Sequence, residues 1–276
     1  MGWIILLFGG VFMNLKRDTY AIVDLDHLKY NVELAHSEFK RPLMAVIKAD
    51  AYGHGYKEVA SFLKDIDYIE MFAVATLQEA IELRELGINK GILILGAIPT
   101  SKEDIDLAIK YDISLTMVSV AYLKLLDHLI DKGQTLKVHI KLDTGMHRIG
   151  LMSKEELSTL LKLVDPDKFN VERNLYTLLQ QLMEMMKPTK NQRSLFYEMI
   201  GNCKFKYIHC CNSAAMTYHH DEKSNMGRLG ITMYGCSPNG EEETKFKQVM
   251  SLYTKVAMIK KSSCRRSSRV WFNIYG

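Results

Sequence analysis

Hydrophobic and polar positions follow two alternating patterns along most of the chain. Short runs of aliphatic and β-branched residues predict buried strands, and longer runs with an apolar position every three to four residues predict amphipathic helices. The strand-like runs are Tyr20–Leu25, Leu43–Ile47, Met71–Ala75, Ile92–Leu95, Ser114–Val118, Val138–Leu142, Tyr207–Cys210 and Leu229–Thr232. The helical runs lie between them, at about 56–63, 77–86, 102–110, 119–132, 154–164 and 191–200. This alternation indicates parallel β/α units.

Strand spacing narrows the α/β class to one favoured architecture. The strands between Leu43 and Thr232, over roughly 190 residues, suit a (β/α)8 TIM-like barrel with its sixth strand disrupted. An open, doubly wound sheet is the alternative. The disruption falls at Arg173–Pro188, where strong helix formers in Gln180–Lys187 replace the β-rich run that the period requires.

Three predicted helices begin with residues that can cap them. Asp26 can cap the helix that follows the first strand. Ser101 with Asp104, and Ser153 with Glu156, have the spacing of a capping box.

Composition excludes several classes of protein and most classes of partner. The 276 residues are 47% hydrophobic, which rules out a disordered or collagen-like chain. Residues 260–276 carry five basic side chains and no acidic one, so the net charge of +4 belongs to that end and the rest is near neutral. We therefore expect no nucleic-acid partner.

The five cysteines form no C-x-x-C pair, so we expect no disulfide framework, no metal site and a reducing cytoplasm.

The apolar N-terminus allows two interpretations. Residues 2–13 are uncharged, but a membrane-spanning helix needs about 20 residues, and no basic segment marks a signal peptide. The segment is either a weak interfacial anchor or an upstream extension with Met13 as the true start. We favour an extension at 1–12 and expect no membrane partner.

One lysine lies where barrel enzymes place their active sites. In LMAVIKADAYGHG (43–55), Lys48 ends a buried strand and precedes a glycine-rich turn. A desolvated lysine there can bind a carbonyl group covalently. Taken alone, an ordinary charged residue past a strand end is the simpler explanation.

The sequence around Lys48 changes that balance. KADAYGHG resembles the pyridoxal-phosphate (PLP) lysine signature of the alanine racemase family. Further similar stretches are TYAIVDLDHLKYN (19–31), VHIKLDTGMHRIGL (138–151), HCCNSAAM (209–216), MGRLGITMYG (226–235) and SLYTKVAMIKK (251–261). The resemblance covers about 13–172 and 191–261. It implies a PLP-binding barrel at 13–240 and the start of a β-domain at 241–261. The implied protein is a cytoplasmic, homodimeric isomerase that interconverts L- and D-alanine for peptidoglycan precursors.

Matched positions assign expected roles at the cofactor. Lys48 would hold PLP covalently and act as the base on one face of the substrate. Tyr52, Ser213 and the backbone N–H groups of Gly230 and Ile231 would hold its phosphate. The loops after the last two strands of a barrel often bind phosphate. Without the resemblance, a helix N-cap would be the preferred explanation for Ser213 and a tight turn for Gly230.

The resemblance assigns a second set of residues to the ring and the substrate. Arg228 would face the pyridine nitrogen without protonating it, because an arginine keeps its proton. His209 would be its partner, although a satisfied histidine at a strand end is an equal alternative. Arg148 would approach the PLP phenolic oxygen and the substrate carboxylate. The remaining assignments are Met146 at the substrate, Asn212 at the cofactor, and Lys141 as a carbamylated lysine or the partner of Asp143.

Three departures from the family pattern affect the expected activity. The family strand that usually reads G-I-Y-T-H-F, with its histidine, is absent, and Arg173–Pro188 stands in its place. Codons for this stretch can be chosen so that a shifted reading frame of the DNA encodes the family sequence. Residues 262–276 can similarly be explained as a tail translated in a shifted reading frame. The family's further β-domain, which supplies a second base, is not in the sequence. We therefore expect the chain as written to bind PLP weakly, to racemise little, and to lack the usual dimer.

Three other functions remain open. A non-catalytic PLP carrier would also hold the cofactor on a lysine, but such proteins lack the A-Y-G-H-G and D-T-G-M-x-R-I-G stretches. A PLP decarboxylase of the same barrel type would place an acidic group where Arg228 stands. An inactive remnant of a racemase is the third alternative.

Overall fold

Eight short parallel strands form the centre of the molecule. The computed structural model describes residues 4–7, 19–177, 186–218, 223–237, 245–256 and 258–259. In chain order, the strands are β1 (Ile4–Leu7), β2 (Tyr20–Asp24), β3 (Leu43–Val46), β4 (Ile69–Val74), β5 (Gly91–Ile94), β6 (Leu115–Met117), β7 (Leu136–Leu142), β8 (Phe169–Thr177), β9 (Tyr207–Ile208), β10 (Gly227–Leu229) and β11 (Met250–Tyr253). Strands β3 to β10 build the central sheet.

Helices connect the central strands and cover the sheet. They are α1 (Leu25–Phe39), α2 (Lys48–Gly53), α3 (Tyr56–Leu63), α4 (Leu77–Glu85), α5 (Lys102–Lys110), α6 (Val120–Leu129), α7 (Lys154–Leu163), α8 (Met186–Ile200) and α9 (Ser213–Tyr218). A 3-10 turn follows at Ile231–Tyr234. The bounds of α3 and α5 are those predicted from the sequence, because apolar periodicity marks both helices and Ser101 marks the start of α5.

The eight central strands close into a barrel. Strands β10-β3-β4-β5 and β6-β7-β8-β9 form two parallel groups. At one seam the Ile94 N–H donates to the Ser114 carbonyl at 3.0 Å, and at the other the Arg228 N–H donates to the Cys211 carbonyl at 2.9 Å. The predicted (β/α)8 barrel is confirmed, and the open doubly wound sheet is wrong.

The expectation of a disrupted sixth strand needs correction. Strand β8 is present and lies parallel to both β7 and β9. The register between β7 and β8 shifts between the pairs Lys137–Asn170 and His139–Asn174. In this stretch β8 has more residues than the facing part of β7 and forms an irregularity. Pairing on both sides outweighs weak local β-propensity. Residues 178–185, which contain six of the eight helix formers of Gln180–Lys187, lie outside the described residues.

The final barrel strand and the first helix cap also differ from expectation. The last strand is β10, which ends at Leu229, the first residue of the predicted run Leu229–Thr232, because Gly230 leaves the extended region (φ −119°, ψ −110°). Helix α1 starts earlier than expected, so Asp24 rather than Asp26 caps it, accepting the His27 N–H at 2.9 Å.

The two predicted capping boxes have different outcomes. The Ser101–Asp104 box is complete. Ser153 accepts the Glu156 N–H, but the Glu156 carboxylate accepts the Met152 N–H instead of closing the box.

The inside of the barrel has an apolar part and a polar part. The apolar part is the cluster Met44, Val46, Met71, Ala73, Leu93 and Met226. On β7, Val138, Ile140 and Leu142 join the core that faces the helices. Since side chains alternate along a strand, His139 and Lys141 of β7 point into the barrel.

Three strands near the chain ends form a separate small sheet. Strand β1 pairs parallel with β2, and β11 pairs antiparallel with β2 on the other side. The division into an extension at 1–12, a β-domain start at 241–261 and a tail at 262–276 stays a prediction. Within the described part of the chain, no helix combines the length and apolar character that crossing a membrane requires.

Candidate active site

A cavity of about 280 Å³ opens at the carboxyl ends of the barrel strands. Loops after β3, β7, β9 and β10 supply most of its lining. The sequence-predicted site residues that line it are Lys48, Tyr52, Met146, Arg148, Asn212, Ser213, Arg228, Gly230 and Ile231. The other two, Lys141 and His209, are fully buried and are not among the lining residues.

The backbone after Lys48 forms a left-handed turn. The φ angles of Ala49, Asp50, Ala51 and Tyr52 lie between 52° and 54°. Left-handed backbone costs about 1–2 kcal/mol for each non-glycine residue. Such strain clusters at functional sites, where surrounding contacts hold it in place. The Lys48 Nζ lies 5.9 Å from the centre of the Tyr52 ring, on the same side of the cavity.

Hydrogen bonds from three directions hold this turn. The Asp50 carboxylate accepts the Tyr56 N–H at 2.9 Å. The Glu79 carboxylate accepts the Ala49 N–H at 2.7 Å. His54 places Nδ1 3.0 Å from the Ala51 carbonyl. Burial lowers the pKa of His54 against the opposing effect of these carbonyls, so the neutral ring donates from Nδ1.

Ser213, Tyr52 and Gly230 form a small cradle at one end of the cavity. The Gly230 N–H donates to the Ser213 Oγ at 2.9 Å. A Cβ at Gly230 would lie 3.5 Å from that oxygen and 3.6 Å from the Tyr52 hydroxyl, inside the cradle. The helix cap is Asn212, whose Oδ1 accepts the Ala215 N–H at 3.0 Å. The N-cap explanation for Ser213 is therefore wrong, and its hydroxyl faces Gly230.

Arg228 also lines the cavity and is backed by two histidines. Its guanidinium donates to the His209 carbonyl and to His209 Nδ1, the latter at 3.1 Å. His209 Nε2 lies 2.9 Å from His139 Nδ1. Burial first, and then Arg228, His139 and Lys141, lower the pKa of His209 well below its ordinary value. Burial alone lowers the pKa of His139 to about 3.

These contacts fix which nitrogen carries the proton on each ring. Arginine always donates, so His209 Nδ1 must accept and the His209 proton sits on Nε2. That N–H donates to His139 Nδ1, which leaves the His139 proton on Nε2. Within the described residues, His139 Nε2 has no hydrogen-bond partner. His139 was not identified from the sequence, because its partner His209 lies 70 residues away.

The loop after β7 presents Met146 and Arg148 to the cavity. The Asp143 Oδ1 accepts the N–H groups of Gly145, Met146 and His147, and its Oδ2 accepts that of Arg148 at 2.8 Å. Burial raises the pKa of Asp143, but these bonds and nearby Lys141 outweigh it and lower the pKa. One ionised carboxylate therefore shapes the whole loop.

Lys141 is buried below this loop and has an unusual pKa. Burial first, and then Arg228 and Arg148, lower the pKa of Lys141 to about 7, although Asp143 acts in the opposite direction. Its Nζ donates to the Leu142 carbonyl at 3.1 Å. Asp143 raises the pKa of Lys141, and Lys141 lowers the pKa of Asp143, so the two side chains attract each other. The two explanations for Lys141, a carbamylated lysine and a partner of Asp143, both stay predictions.

A lysine at a strand end, a hydroxyl cradle and a buried arginine meet at one cavity at the carboxyl ends of the strands, where barrel enzymes have their active sites. The model of the alanine racemase N-terminal domain matches residues 23–238. An alanine racemase of Lactococcus lactis subsp. cremoris is 36% identical over 253 residues, which are 89% of this chain and 68% of that protein. The chain belongs to the alanine racemase family.

Solved structures agree with this assignment. The alanine racemase of Bacillus anthracis with bound L-Ala-P has a TM-score of 0.80 at 34% identity, over 91% of this chain and 67% of that one. A histidine racemase from Leuconostoc mesenteroides has a TM-score of 0.78 at 25% identity, over 90% of this chain and 68% of that one. Both are racemases on the same barrel.

Proposed function

We propose that the chain is a PLP-dependent alanine racemase that interconverts L- and D-alanine. The observation that carries the proposal is the single cavity that joins Lys48 to the Ser213–Tyr52–Gly230 cradle and to Arg228. The proposed setting is the cytoplasm, and the proposed use is the supply of D-alanine for peptidoglycan precursors.

The residues that line the cavity fit the phosphate and the ring of PLP. The hydroxyls of Ser213 and Tyr52 and the amides of Gly230 and Ile231 would hold the phosphate, in the space that a side chain at Gly230 would fill. When bound, PLP supplies an electron sink that makes the α-hydrogen of an amino acid acidic. Lys48 would carry the cofactor and move the proton on one face of the α-carbon.

Arg228 and His209 would control the pyridine end. The guanidinium keeps its proton and so donates a hydrogen bond without transferring charge to the ring. His209 stays neutral, because burial and Arg228 both lower its pKa. It acts on the cofactor only through Arg228. This arrangement favours return of the proton over transfer of the amino group.

Arg148 and Met146 would position the substrate, with Asn212 at the cofactor. We propose that Arg148 binds the substrate carboxylate and that Lys141 is carbamylated. A pKa of about 7 leaves much of the Lys141 amine neutral at physiological pH, and the neutral amine is the form that adds to carbon dioxide. The added carbamate would be an anion near the Arg148 cation.

The test follows the α-hydrogen and the chirality of alanine separately. The purified chain with PLP is incubated in D2O with L-alanine and, separately, with D-alanine. We expect deuterium at the α-carbon and formation of the opposite enantiomer, both at a low rate, because the sequence departs from the family at Arg173–Pro188. PLP binding without exchange would overturn the proposal in favour of a carrier, and release of carbon dioxide would favour a decarboxylase. Parallel reactions with serine and histidine establish substrate preference.

Replacing Asp143 by asparagine should loosen the substrate end of the site. An amide has only one accepting oxygen, so the Arg148 N–H loses its partner while the three bonds to Oδ1 survive. We expect alanine to bind the PLP-loaded chain about tenfold more weakly, as for one hydrogen bond to a charged group. Absorbance titration with L-alanine measures this. Asp165→Asn is the control, because Asp165 makes a similar turn contact to the Asp167 N–H in an exposed loop. Equal affinity in the two variants would contradict the prediction.

A further inference from the structure

One carboxylate joins the ends of two neighbouring barrel strands. Glu79 Oε1 accepts the Ala49 N–H at 2.7 Å, in the loop after β3. Its Oε2 accepts the N–H groups of Ala75 and Thr76 at 2.7 and 3.1 Å, in the loop after β4. Glu79 thus lies between the strand that ends at the cofactor lysine and the start of helix α4.

The contact to Ala49 goes beyond the capping of α4. Thr76 and Glu79 form a complete capping box, with the Glu79 N–H donating to the Thr76 Oγ1 at 3.2 Å. The matching carboxylate of α5, Asp104, contacts the Ser101 backbone and hydroxyl within its own box. Capping requires only the bonds inside the box. The bond to Ala49 needs a different explanation.

Hydrogen bonds hold both peptide groups that flank Lys48. The peptide before Lys48 is fixed through the Ile47 carbonyl, which accepts the Ala51 N–H at 2.9 Å. The peptide after Lys48 is fixed through the Ala49 N–H, which donates to Glu79. The orientations of these two groups set the direction in which the Lys48 side chain leaves the backbone. Without Glu79, the left-handed turn loses its contact at the residue where it begins.

We propose that Glu79 is a positioning residue for Lys48. Its carboxylate holds the Lys48–Ala49 peptide group in the strained turn and so aims the lysine amine into the cavity. This inference rests on the proposed function, in which Lys48 carries PLP. It predicts that a change at Glu79 alters the reaction of Lys48 with PLP, whereas loss of the helix cap alone does not.

The experiment compares Glu79→Gln with Thr76→Ala. The glutamine can accept on one side only and sets an N–H donor against the other side. The alanine removes the cap hydroxyl but leaves the Glu79–Ala49 bond. We expect Glu79→Gln to slow covalent attachment of PLP, followed by absorbance, about tenfold or more, the loss typical of one charge-assisted hydrogen bond. Thr76→Ala should react like the unaltered chain. Equal slowing in both variants would overturn the proposal.

Hydrogen exchange gives a readout that needs no cofactor. In the PLP-free chain, Glu79→Gln should speed exchange in a peptide that spans 47–53, and Thr76→Ala should speed exchange mainly in α4. Unchanged exchange at 47–53 in Glu79→Gln would also overturn the proposal. If the unaltered chain binds no PLP, the proposed function fails while the exchange data still test the positioning role.

Discussion

Replacing Lys48 by alanine should abolish covalent attachment of PLP and slow α-hydrogen exchange of alanine by about 10²–10⁴-fold, the usual contribution of one positioned base. Lys48 is the lysine that lines the cavity, and the turn that follows directs it there. Borohydride reduction followed by mass spectrometry detects the attached cofactor. The unaltered chain should carry the added mass on Lys48, and the variant should carry none.

The control is Lys57→Ala, in the first turn of the neighbouring helix. Lys57 is exposed, and its Nζ lies over its own helix neighbour Tyr56 at 5.9 Å from the ring centre. The variant should retain both the added mass and the exchange rate. PLP attached elsewhere in the Lys48 variant, with exchange intact, would show that another amine performs the chemistry.

Much of the fold was predictable because the barrel repeats one simple unit. Buried strands and amphipathic helices alternate regularly. Helix caps such as Ser101 lie where the spacing of the hydrophobic positions changes from strand-like to helical. The prediction was wrong where tertiary contacts decide the outcome. Strand β8 forms because β7 and β9 pair with it, although its local sequence does not favour a strand. Such pairing is invisible to local propensity.

The site was predictable only in part for a similar reason. Lys48, Ser213 and Arg228 lie in recognisable motifs, and the fold brings them to one cavity. The left-handed turn was not foreseen, because Ala49 and Ala51 carry no local preference for positive φ. Glu79 had a local signal, the T-x-x-E spacing from Thr76, but its contact with Ala49 depends on the neighbouring strand.

The histidine pair shows how a site requirement affects the whole fold. Arg228 needs an acceptor behind it, so His209 must be neutral, and His139 must accept from His209 in turn. Neutral rings fit this chain of donors, and protonated rings do not. Protonating His209 would set donor against donor at Arg228. Since the unfolded chain has no such restriction, acid should favour unfolding.

The free energy of unfolding should therefore fall steeply below about pH 6.5. The folded pKa of His139 is about 3 and that of His209 is well below 6.5, so the unfolded chain binds up to two more protons in this window. Each proton contributes about 1.4 kcal/mol per pH unit, or about 2.7 kcal/mol for the pair. Two pH units then remove about 5 kcal/mol, comparable with the whole stability of many domains. His54, whose pKa is also lowered, acts in the same direction.

Urea denaturation at pH 7.5, 6.5, 5.5 and 4.5 measures this slope. His139→Gln removes one titrating group, so its slope should be smaller than that of the unaltered chain by about 1.4 kcal/mol per pH unit. His128→Gln, at an exposed position on α6, should leave the slope unchanged. An unaltered slope in His139→Gln would mean that His139 takes up its proton in the folded chain. The assignment of donors and acceptors from Arg228 through His209 to His139 would then be wrong, because a charged His139 ring cannot accept a hydrogen bond from His209.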